Sequence, residues 1–186
     1  MLKGKRVTLR AMCKEDVPLM HRYGQDLELE VLGGGDPPTP KTLEAAQTLY
    51  DDKIAKDESG GDFAIVADDK VIGFCGLFRF NWMHRHCELG IGIGERDYWS
   101  KGYGRESIGL LLEYAFVHRN LNKVCLSTHS ENLRAIACYR ASGFVEEGRL
   151  RSQLWSAGKF VDEVDMGILK EEWEKRSESG NLTQIS

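Results

Sequence analysis

The chain has 186 residues, with 25 Lys plus Arg against 29 Asp plus Glu and a formal net charge of −4. That length suits one domain with a substantial core, and the acidic balance argues against a protein held mainly on nucleic acid or anionic lipid. With 41 % hydrophobic and 29 % charged residues, no apolar run of membrane-helix length and no signal-peptide pattern, a globular cytoplasmic protein with no membrane attachment is expected.

Taken in chain order, Val7 and Leu9 alternate within residues 5–10 and predict a first strand. Lys14-Glu15-Asp16 opens a helix carrying Val17, Leu19, Met20 and Tyr23. Residues 33–40, with three glycines and three prolines, read as a loop. Thr42 begins a second helix through Leu43, Ala46, Leu49 and Tyr50. Residues 63–67 and 71–75 form a hairpin around Asp68-Asp69. The next strand, residues 87–94, has glycine at every second position, which marks a bulge or the close approach of a ligand or backbone. Ile108, Leu111, Leu112, Ala115 and Phe116 then stand at i, i+3, i+4, i+7 and i+8, the buried stripe of a helix. Val124, Leu126 and Thr128 alternate as a further strand. A short helix over residues 132–141 ends at Gly143, a suitable left-handed cap. Two last strands flank the turn at residues 156–159, and the chain frays beyond residue 176. The expected organisation is one α/β (α+β) domain over residues 1–176 with a flexible tail over 177–186, built on a mixed, mostly antiparallel central sheet flanked by helices.

The cysteines Cys13, Cys75, Cys87, Cys125 and Cys138 are widely spaced with no CxxC, so reduced thiols are expected. His84-Arg85-His86-Cys87-Glu88 has no second ligand group at a zinc spacing, and no metal site is expected. Gly102 and Gly104 open a helix, where free N–H groups and the positive dipole end suit a phosphate. Lys101 and Arg105 would add charge-assisted contacts. A plain tight turn explains Gly-x-Gly equally well. A dinucleotide fingerprint lacks its third glycine and its later acidic residue, and no Gly-Lys is followed by Ser or Thr. Asn132 and Tyr139, two helical turns apart, share a face. From spacing alone, a capping Asn and a half-buried Tyr is the simpler reading.

Together these segments resemble the GNAT superfamily of N-acetyltransferases, and within it the RimJ/RimL-like group of ribosomal-protein N-terminal and spermidine acetyltransferases. The match rests on Asp97-Tyr98-Trp99-Ser100-Lys101-Gly102-Tyr103-Gly104 as pyrophosphate loop and on an N-x-x-A-x-x-x-Y-x-x-x-G-F helix from Asn132 to Phe144. Trp99 stands where the wider superfamily has Gln or Arg, as the named group commonly does.

The resemblance implies a sheet split between the fourth and fifth strands, with acetyl-CoA held in the split as acetyl donor. It implies backbone contacts from Ile91, Gly92 and Ile93, freed by a bulge in the glycine-rich strand. Trp99, Ser100, Lys101, Gly102, Tyr103, Gly104 and Arg105 would hold the pyrophosphate, and Asn132 the pantetheine. Tyr139 would protonate the leaving thiolate. Glu88 and His129 are the candidate bases, directly or through water; family members differ in this residue, so the resemblance does not settle the base, and a structural or solvent-facing role is the simpler reading of each. Transfer would be direct, to a primary amine of a polyamine-like molecule or a protein N-terminus. Asp26, Glu28, Glu30 and Asp36 offer an acidic rim for such an amine, although surface helices carry such charges routinely. Homodimers occur in the family, and no segment here marks an interface. The competing reading is a non-catalytic acetyl-CoA-binding module of the same fold.

Overall fold

The structure, a computed structural model, describes residues 1–33, 39, 41–56 and 61–178. Most of the loop expected over residues 33–40, including Asp36, and the tail from residue 179 lie outside the described residues.

Eight strands form one sheet in the order β1-β2-β3-β4-β5-β6-β8-β7. They are β1 (Leu2–Lys3), β2 (Thr8–Ala11), β3 (Asp62–Ala67), β4 (Lys70–Asn81), β5 (His86–Ile93), β6 (Lys123–His129), β7 (Val145–Ser156) and β8 (Lys159–Leu169). Every neighbouring pair is antiparallel except β5 and β6, which run parallel. The α-helices among the described residues are α1 (Val17–Gly24), α2 (Leu27–Gly33), α3 (Leu43–Leu49), α4 (Tyr103–Glu113), α5 (Leu133–Ser142) and α6 (Lys170–Glu178).

The two-residue β1 moves the expected fourth and fifth strands to β5 and β6. Lys14 opens a 3-10 turn before α1, and β4 runs six residues past the predicted end at Cys75. The sequence pattern predicts neither α2 nor α6; α6 continues to Glu178, two residues into the expected tail.

The predicted stripe of α4 and the wide turn after it forms the centre of the main core. Ile108, Leu111, Leu112, Ala115 and Phe116 all have 0 % exposure. They pack on the sheet face carrying Cys75, Leu77 and Leu89. The opposite face carries Phe74 beneath Met12, Val17 and Ala46, the smaller cluster under α1 and α3. Phe116 also meets the Trp173 ring of α6 at 5.5 Å. Phe116→Ala is expected to cost about 3–5 kcal/mol of stability, measurable as the shift of a urea or thermal midpoint. A shift below about 1 kcal/mol would contradict this packing.

Candidate active site

β5 and β6 stay together for only three residue pairs, His86 with Lys123, Cys87 with Val124 and Glu88 with Cys125, and then part. Beyond Glu88, β5 has a strand paired residue by residue on its β4 side alone among the described residues. The Gly94 N–H donates to the Ile72 carbonyl at 2.9 Å. In an antiparallel ladder such pairs recur at every second residue. Gly90 and Gly92 therefore aim their N–H and C=O at β4, while Leu89, Ile91 and Ile93 aim theirs into the split. The Ile93 carbonyl is taken by the Trp99 indole Nε1–H at 2.7 Å. Among the described residues, the open groups nearest the apex are thus the Leu89 carbonyl and the N–H and carbonyl of Ile91, because the Glu88–Cys125 pairing takes the Leu89 N–H.

This corrects two sequence-based expectations. β5 contains no bulge: its register with β4 runs unbroken from Gly73–Ile93 to Phe78–Glu88. The split arises because β6 turns away to pair with β8. Gly92 has its backbone groups committed to β4; it contributes space, since a Cβ there would meet nothing within 4 Å.

The split opens into a cavity of about 750 Å³. Ile91, Gly92, Ile93, Trp99, Ser100, Gly102, Gly104, Arg105, Asn132, Tyr139 and Glu88 all line it, so eleven of the thirteen expected site residues come together. Lys101 and Tyr103 do not line it. Both face a separate cleft of about 810 Å³ beside α1. The reason is Arg6, whose Nη1 donates to the Lys101 carbonyl at 2.8 Å and whose guanidinium lies 5.0 Å from the Tyr103 ring centroid. Glu106 in turn accepts from Arg6 Nε at 3.0 Å, stapling the loop to the N-terminal segment. Lys101 and Tyr103 thus line that cleft and not this cavity.

Gly102 is the N-cap of α4 at φ +89°, a left-handed conformation that favours glycine. The first helical bond runs from the Glu106 N–H to the Gly102 carbonyl at 3.0 Å. The N–H groups of residues 103–105 therefore lack a carbonyl partner within the helix and form the positive end of its dipole. Arg105 stands beside them, and among the described residues no carboxylate pairs with it. The sequence does not single out Arg134, which lines the cavity along with Arg105 and Arg79 and whose guanidinium lies 3.5 Å from the Trp99 ring centroid. Its signal was a basic residue in the first turn of α5, two positions after Asn132.

Tyr139 projects from α5 at 8 % exposure and packs edge-on against Phe144, with ring centroids 6.0 Å apart. Burial pushes its phenol up to about 12, and the neighbouring Cys138 adds to the shift. Tyr139 is consequently a neutral phenol throughout the physiological range.

Asn132 is engaged within the protein at both ends of its amide, with one donor and one acceptor site left over. Its Oδ1 caps α5 by accepting from the Ala135 N–H at 3.2 Å, and its Nδ2 donates to the Leu32 carbonyl of α2 at 2.8 Å. Leu29 and Leu32 bring α2 onto the cavity wall. Glu88, at the last paired position before the split, binds Arg79 Nη1 through both carboxylate oxygens at 2.9 and 3.2 Å. His129 does not line the cavity, where Ser127 and Thr128 appear instead. It is buried at 3 % exposure, and burial lowers its affinity for a proton. The acidic rim is partly neutralised, because Arg96 pairs with Asp26 and with Glu28, each at 2.7 Å. His84 and His86 lie on the β4–β5 hairpin with near-parallel rings 6.4 Å apart. No described helix is long and apolar enough to cross a membrane.

Residues 6–145 match the Acetyltransferase (GNAT) domain. The spermidine N(1)-acetyltransferase of Vibrio cholerae is 30 % identical over 176 residues, covering 94 % of this chain and 99 % of that protein. The spermidine N(1)-acetyltransferase of Escherichia coli K12 is 29 % identical over 169 residues, covering 90 % of this chain and 88 % of that one. Among solved structures, the Vibrio cholerae spermidine N-acetyltransferase in complex with CoA and spermine superposes with a TM-score of 0.82 at 27 % identity, over 92 % of this chain and 99 % of that one. A domain match over most of the chain, and full-length similarity in both sequence and fold, agree with the split sheet and its cavity: the chain belongs to the GNAT acetyltransferase family, as an acetyl-CoA-dependent N-acetyltransferase.

Proposed function

We propose that this protein acetylates a primary amine of a polyamine by direct attack on acetyl-CoA in a ternary complex. The observation that carries the reading is the cavity itself, which joins an open strand edge, a cationic helix start and a buried phenol. The open edge at Leu89 and Ile91 offers N–H and C=O groups to the amides of the pantetheine arm. The N–H groups of residues 103–105, with Arg105 and Arg134, offer the diphosphate a fixed positive site. A polyamine acceptor is supported by the spermidine acetyltransferases that this chain resembles.

The chemistry sets three requirements. The attacking nitrogen must be unprotonated, the carbonyl oxygen must be stabilised as it gains charge, and the thiolate must receive a proton as it leaves. The Ile91 N–H, aimed into the split from a rigid strand, serves the second; such donors are worth about 3 kcal/mol in other enzymes. Tyr139 serves the third, as a neutral phenol donating to sulfur. No covalent enzyme intermediate is required. Glu88 is placed to anchor the acceptor's ammonium or take its proton, directly or through water, once it is released from Arg79.

The pH profile should reflect this division of labour. An alkyl ammonium loses its proton near pH ~10, so kcat/KM should rise through pH 7–9. Tyr139, held at about 12, stays protonated across that range and produces no falling limb. A falling limb centred at or below pH ~10 would contradict its role as donor. The direct test is release of CoA thiol against a panel of spermidine, spermine, aminoglycosides, amino acids and short peptides. Release should depend on spermidine or spermine. Release with peptides alone would replace the polyamine by a protein N-terminus, and none with any amine, despite tight acetyl-CoA binding, would favour the binding module.

A further inference from the structure

In the mechanism above Arg79 enters only as the partner that Glu88 must leave, yet the backbone is distorted to place it. Phe78 pairs with Glu88 and Asn81 with His86, so two residues of β4, Arg79 and Phe80, stand opposite Cys87 alone. This is a β-bulge, and within it Arg79 adopts φ +51°, the left-handed region that arginine seldom occupies. The bulge breaks the strand's alternation. Phe80 packs against the main core, while Arg79 joins Phe78 and Glu88 on the cavity wall.

Glu88 is the only carboxylate among the described residues that line this cavity. It stands at the apex of the split, where acceptor and thioester must meet, and Arg79 already holds both of its oxygens. The Arg79 side chain is 74 % exposed and that of Glu88 33 %. Such an exposed pair is weak enough for another cation to displace.

We propose that Arg79 is a specificity-determining gate: it occupies Glu88 in the place of the acceptor's ammonium, and an amine enters by exchanging with it. This rests on the amine-acceptor reading above. The exchange is neutral at Glu88, since one cation replaces another. The displaced guanidinium stays tethered beside the site and repels further positive charge, so an acceptor with several ammonium groups is disfavoured more than a monoamine.

The test compares wild type, Arg79→Gln and Arg79→Lys in steady-state kinetics with spermidine and with a simple monoamine at saturating acetyl-CoA. Thermal melts serve as folding controls. Arg79→Gln should lower KM for spermidine by about fivefold, lower that for the monoamine less, and leave kcat within about twofold. Arg79→Lys, which keeps the charge, should stay near the wild-type KM. An unchanged or raised KM in Arg79→Gln overturns the gate, and so does an Arg79→Lys enzyme that behaves like Arg79→Gln. Calorimetric titration of spermidine into the CoA-bound protein separates this failure from that of the amine reading. If wild type is silent but Arg79→Gln gains amine binding, the gate stands. If all three proteins are silent in both assays, the amine reading fails and the gate falls with it. An active wild type that Arg79→Gln does not improve removes the gate alone.

Discussion

Tyr139→Phe is expected to lower kcat by about 10²- to 10³-fold while leaving acetyl-CoA affinity within about twofold. The substitution removes one oxygen and keeps the ring that packs edge-on against Phe144, so folding and the shape of the cavity should survive. What is lost, on the proposed mechanism, is the proton that the leaving thiolate needs. Burial holds the phenol at about 12, which keeps it a donor in every assay condition near neutrality. The thiolate forms in the same buried environment, where an unsolvated anion is costly, and a hydrogen bond from the phenol offsets that cost. Steady-state rates together with calorimetric titration of CoA would separate the two quantities. Equal losses of binding and rate would make Tyr139 a packing residue, and an unchanged kcat would remove it from the mechanism.

Arg105→Gln should weaken acetyl-CoA binding by about 10- to 100-fold, the scale of a lost hydrogen bond to a charged group, whereas Lys101→Gln should change it by less than about threefold. Sequence alone treats the two cations alike, since they flank the same glycines. The fold separates them: Arg105 lines the cavity, and Lys101 faces the cleft beside α1. An acetyl thioester of pantetheine, which lacks the diphosphate, provides the control, because its binding should be insensitive to Arg105→Gln. Should Lys101→Gln weaken acetyl-CoA as much as Arg105→Gln, the loop would be oriented differently from the arrangement that Arg6 imposes.

The features legible in the sequence are those that a local pattern determines. The α4 stripe from Ile108 to Phe116 is a period of apolar residues, and it is buried throughout. Gly102 and Gly143 are readable because the backbone itself turns left-handed there, at φ +89° and +104°. The helix from Asn132 to Gly143 carries both its N-cap and its C-cap in its own residues.

What was not legible depends on partners distant in the chain. The outward turn of Lys101 requires Arg6, 95 residues away. The engagement of Asn132 by Leu32 spans 100 residues and involves a backbone carbonyl, which no side-chain pattern announces. The bulge was expected in β5 because its glycines are conspicuous, but it lies in β4. One extra residue at Arg79 becomes visible only when Phe78 and Asn81 are paired with Glu88 and His86. The α2 segment, Leu-Glu-Leu-Glu-Val-Leu, alternates apolar and acidic residues and carries no helical stripe. In α6 the lone large apolar side chain inside the helix is Trp173, which offers no periodicity to read.

The most direct test of the account is a set of initial rates in which acetyl-CoA and spermidine are varied together, with thiol release and acetylated amine both quantified. Direct transfer in the split requires double-reciprocal lines that intersect, and one thiol released for each acetylated spermidine. Parallel lines would reveal an acetylated enzyme intermediate and contradict the mechanism. A thiol-release rate independent of spermidine would contradict the polyamine assignment itself.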